Sequence, residues 1–140
     1  MPVFKTYSAL ILELDKRVSI AIENVAKIIC NKLKDYIEEQ YYNDPEFYPN
    51  IYERTYTFLK SATYEMMGNT ATIGIDNSSM HYKNNFSGVQ VVEWASQSMH
   101  GAEYYQTSTE PFWDTFIQWA DKNVVQLLKS ELENQGIAVK

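Results

Sequence analysis

The chain has 140 residues, of which 21% are charged and 45% are hydrophobic, and its formal net charge is −6. This length predicts one domain, residues 1–140, because it leaves no room for a second core. An acidic chain gains nothing from the counterion release that drives most nucleic-acid binding, so composition argues against sequence-specific binding to DNA or RNA. The single cysteine, Cys30, excludes an intrachain disulfide and indicates a reducing compartment. No apolar window approaches membrane-spanning length, so we expect a soluble protein with no membrane partner.

The first predicted element is a long helix over about residues 8–42. Its apolar stripe alternates between three- and four-residue spacing, the pattern of one helix face. The stripe consists of Ile11, Leu14, Val18, Ala21, Val25 and Ile28, and it ends at Lys32. Thr6 or Ser8 is placed to cap the start. A helix of this length spans about 50 Å, more than the roughly 17–20 Å of an ordinary strand. Part of the stripe must therefore meet the last helix or another subunit.

A Tyr/Pro/Arg connector follows at residues 45–56. Five of its residues form the candidate assembly motif: Tyr48, Pro49, Tyr52, Arg54 and Thr55. Pro49 fixes its own φ and favours extended backbone before it. In an extended segment Arg54 lies on the same face as Tyr52 and Tyr56, where the guanidinium can stack on the rings. The simpler interpretation is a stiff joint between the helix and the sheet, but it does not explain why tyrosines flank Arg54.

The region 61–94 is predicted to form a small β-sheet. Ser61–Met67 and Thr70–Asp76 surround Gly68-Asn69, and a two-residue glycine-containing loop between such runs predicts a hairpin. Gly88–Trp94 is a candidate third strand. The polar segment 95–109 that follows is long for a connection without secondary structure, which is typical of functional or mobile loops.

A second helix is predicted over 111–135. Pro111 suits its first turn, and Gly136 is well placed just after its end. The last four residues, 137–140, offer a short edge strand. The order of elements predicts an α+β fold, with a long N-terminal helix and a C-terminal helix packed on a small antiparallel β-sheet.

Candidate catalytic and metal-binding residues are sparse. His81, His100 and Glu103 do not have the spacing of a zinc site, and a second cysteine is missing. Cys30 has no obvious base near it in sequence, and no nucleophile-elbow or phosphate-binding glycine motif occurs. We therefore predict a protein that is not an enzyme, with no catalytic residues, no cofactor, no metal and no small-molecule substrate.

Three short motifs resemble a known family. They are Tyr48-Pro49-x-x-Tyr52-x-Arg54-Thr55 followed by Leu59 and Ser61, the helix start Phe112-Trp113-Asp114, and the ending Leu132…Gly136-Ile137. In these motifs and in the order of its elements the chain resembles the small head–tail joining, neck or tail-completion proteins of tailed bacteriophages (siphophages and prophages), also called minor capsid proteins or tail components. The segment from Met80 to His100 matches no pattern of that family.

The resemblance implies a structural virion protein, synthesised in the cytoplasm of the bacterial host and located at the head–tail junction or the tail end. It implies a homo-oligomeric ring whose partners are copies of the chain and the neighbouring connector and tail proteins. A net negative charge suits a channel through which DNA slides without sticking. The alternative is a cytosolic acidic module that binds another protein, as an antitoxin or inhibitor does.

Overall fold

Four elements make up the described part of the chain. The computed structural model describes residues 6–39, 60–76 and 112–139. They contain helix α1 (Tyr7–Ile37), strands β1 (Ala62–Met67) and β2 (Thr70–Ile75), and helix α2 (Phe112–Asn134). Two long helices with an antiparallel pair of strands confirm the α+β prediction. The connector 45–56, the candidate third strand and the polar loop 95–109 lie outside the described residues.

Helix α1 begins where the sequence predicts. Thr6 is the N-cap, with extended backbone, and its Oγ1 accepts a hydrogen bond from the Ala9 N–H at 3.1 Å. This bond satisfies one of the helix's free amide groups. The 31 helical residues extend about 46 Å at 1.5 Å per residue. After Ile37 the N–H of Glu38 still bonds to helical carbonyls, and the predicted end near Tyr42 lies outside the described residues.

The two strands form the predicted hairpin. Their register pairs Met67 with Thr70 and Ala62 with Ile75. Gly68 adopts φ 60° at the first position of the two-residue turn, a conformation that favours glycine and that the usual hairpin turns require. At the open end of the hairpin the Asp76 N–H donates to the Ser61 carbonyl at 2.8 Å. Alternate residues of β1, beginning with buried Ala62, face the helices.

Helix α2 ends in a Schellman motif. The Ile137 N–H bonds to the Leu132 carbonyl and the Gly136 N–H bonds to the Glu133 carbonyl, each at 2.9 Å, while Gly136 takes φ 80°. Residues 137–139 are not in a strand, so the predicted edge strand is wrong for them. The reason is physical: the Ile137 N–H that a strand ladder would use is taken by the helix end.

The hydrophobic core lies at the C-terminal half of α1. Leu33 and Ile37 are fully buried there, and Phe112 and Phe116 of α2 and Ala62 of β1 pack with them. Every buried residue of α1 is found between Ala21 and Ile37. The part of α1 before Ala21 thus contributes no buried side chain, although its apolar stripe continues into the rest of the helix.

Candidate functional site

The predicted assembly motif lies outside the described residues. None of Tyr48, Pro49, Tyr52, Arg54 and Thr55 is among them. Its role therefore stays a prediction. A different candidate surface lies within the described residues, on the first turns of α1.

Helices α1 and α2 pack antiparallel. Asn24 Nδ2 lies 3.3 Å from Glu131 Oε2, while nearer the other end the Lys32 Nζ lies 5.6 Å from the centre of the Trp119 ring. Lys32 is also 5.0 Å from the centre of the Tyr36 ring. A lysine between two aromatic faces keeps a favourable environment for its charge while its stem covers apolar surface. Residues later in α1 thus lie beside residues earlier in α2, as in an antiparallel pair of helices.

The antiparallel pair comes to an end at Arg17. Its Nη1 donates to the carbonyl oxygen of Gln135 at 3.3 Å, just after the last turn of α2. Its Nε is held by Glu13 at 2.9 Å, an i,i+4 ion pair on a half-buried surface. The guanidinium therefore satisfies a carbonyl that the helix end would leave without an intrahelical donor. Arg17 is the place on α1 that contacts the end of α2.

The ten residues Tyr7–Lys16 extend beyond that place, and we call them the overhang. They correspond to about 15 Å of helix. Tyr7 is 78% exposed and Leu12 is 71% exposed, and Ile11 and Leu14 are exposed as well. A row of exposed large apolar side chains on one helix is typical of a surface that meets another protein. On the predicted stripe, Ile11 is 37% and Leu14 is 36% exposed at the N-terminal end, and Ile28 near the other end is also 37% exposed.

The hairpin packs along α1 with its turn toward the overhang. Ser19 Oγ lies 3.5 Å from the Gly68 carbonyl in the turn, and the Tyr64 hydroxyl donates to Glu23 Oε1 at 3.1 Å. Both contacts come after Arg17 in sequence. Within the described residues, the polar contacts of α1 with the hairpin therefore lie in its later part, at Ser19 and Glu23.

An apolar groove of about 160 Å³ runs between the three elements and is partly open to solvent. Its lining is apolar throughout: Ile22, Val25, Ala26, Ile29, Ala71, Ile73, Val124 and Leu128. A dry apolar cavity of about 150 Å³ accepts a group the size of benzene. No lining side chain can exchange a proton or attack an electrophile at neutral pH. The groove is suited to receiving an apolar group, not to chemistry.

Two buried or half-buried groups have raised pKa values. Burial raises the pKa of the Cys30 thiol, and the nearby Lys34 charge opposes that shift. The pKa of the Tyr64 hydroxyl is raised by burial first, and then by its hydrogen bond to Glu23 and the negative charge of that carboxylate. Burial disfavours a charged form, and a bond donated to a carboxylate requires the protonated hydroxyl. Both groups are therefore held in their neutral forms.

These shifts predict a loss of stability at alkaline pH. The folded state favours protonated Tyr64, so this contribution is present below the ordinary tyrosine pKa of about 10 and is lost as the pH rises through the raised folded value. We expect the free energy of unfolding of the native protein to fall as the pH rises from about 10 through the raised pKa of folded Tyr64. Tyr64→Phe should show a shallower fall, measured by urea unfolding across the alkaline range. If the free energy of unfolding falls equally steeply with pH in both proteins, Tyr64 is not the cause of the fall.

Residues 6–39, 60–76 and 112–139 bring together no group of three or more histidine, cysteine, aspartate or glutamate side chains able to hold a metal ion. Within the same ranges, neither helix combines the length and the apolar character needed to cross a membrane.

Comparison with known proteins gives one family. No curated protein and no solved structure matches the chain significantly. The family model described as YomN matches residues 7–134, which run from the first residue of α1 to the last of α2. The family name comes from a Bacillus phage or prophage region, which indicates a phage-associated protein. Because the match spans nearly all of the 140 residues, the chain belongs to the YomN family.

Proposed function

We propose that this phage-associated protein is a structural component of the virion, located at the neck or head–tail connector or at the tail end. It acts there by assembly, as a homo-oligomeric ring in contact with connector and tail proteins, and not by catalysis. The observation that carries the proposal is the overhang, where Tyr7, Ile11 and Leu14 are exposed at the start of a stripe that also includes buried Ala21 and Val25.

Exposed apolar side chains are energetically unfavourable in water. A large apolar side chain gains about 1.5–3 kcal/mol from full burial, and exposed patches of such residues favour aggregation unless a partner covers them. Tyr7, Ile11, Leu12 and Leu14 lie within eight residues of one helix and are all exposed. A protein that spends its functional life inside an assembly keeps such a surface because the assembly covers it.

The test is removal of the gene from a phage or prophage that carries it. We expect loss of infective particles with normal synthesis of heads and tails, seen by electron microscopy as parts that are not joined or tails that are not completed. Plasmid-borne wild-type protein should restore infectivity, and mass spectrometry should find the protein in purified particles. Two variants refine the test: Leu14→Glu on the overhang and Arg54→Ala in the predicted motif should each fail to restore it.

Val125→Glu is the matched control. Val125 is 76% exposed on α2, away from the overhang, so a charge there should leave complementation intact. Circular dichroism of each purified variant separates a failure to assemble from a failure to fold. Purified infective particles that lack the protein would overturn the proposal. A partner captured only from uninfected cytosol would instead support the acidic protein-binding module.

A further inference from the structure

We draw no further inference here: the strongest candidate, the partly open apolar groove between α1, β2 and α2, carries none, because nothing in the structure shows what covers it.

Discussion

Leu33→Ala should lower the free energy of unfolding by about 2–5 kcal/mol, the range measured for removing a large buried aliphatic side chain. Leu33 is 0% exposed and belongs to the cluster that joins α1 to Phe112 and Phe116. The substitution removes apolar contacts and leaves a cavity within a cluster to which both helices and the hairpin contribute. Urea unfolding followed by far-UV circular dichroism measures the change.

The same substitution on the overhang provides the control. Leu12 is 71% exposed, so Leu12→Ala should change the free energy of unfolding by no more than about 0.5 kcal/mol. Both changes replace leucine by alanine in the same helix, so differences in helix propensity cancel. Equal effects of the two substitutions would show that the core is not where we place it.

Gly136→Ala should destabilise the protein by about 1–2 kcal/mol, the cost of a left-handed conformation for a residue with a Cβ. Gly136 has φ 80°, and an added Cβ would stand 3.4 Å from Arg17 Nη1. That distance is ordinary contact, so the penalty comes from the backbone and not from a clash. Thermal unfolding measures it.

Gly74→Ala is the comparison that isolates the backbone term. Gly74 lies in β2 with no positive φ and nothing within 4 Å of an added Cβ. Alanine there should cost nothing and should gain up to about 1 kcal/mol from the lower entropy of the unfolded chain. A loss at Gly74 as large as that at Gly136 would rule out left-handed strain as the cause.

Local signals predicted most of the described elements. The stripe of α1, the cap at Thr6, the Gly68-Asn69 turn and the stop at Gly136 each depend on the residue and its near neighbours. Such signals are readable because the chemistry that causes them is short in range. The prediction of an edge strand at residues 137–139 was wrong because β-compatible composition does not show that the Ile137 N–H is already bonded to the Leu132 carbonyl.

Long-range arrangement was not predictable in the same way. Periodicity shows that α1 has an apolar face, but it does not show which half α2 covers, because that depends on where Arg17 meets Gln135. Lys32 is a second example. It occupies a stripe position that favours an apolar residue, and the rings of Tyr36 and Trp119, which come from two helices, explain its presence.

The unequal burial along α1 also predicts different rates of amide hydrogen exchange in its two parts. Amides after Ala21 lie under buried side chains, so their hydrogens should exchange with solvent only when the whole domain unfolds. Amides of the overhang have few buried side chains over them, and the end of a helix frays more readily than its buried part. They should exchange orders of magnitude faster in the free protein. Slower exchange confined to these first turns, seen only in a complex, would then indicate that a partner covers them.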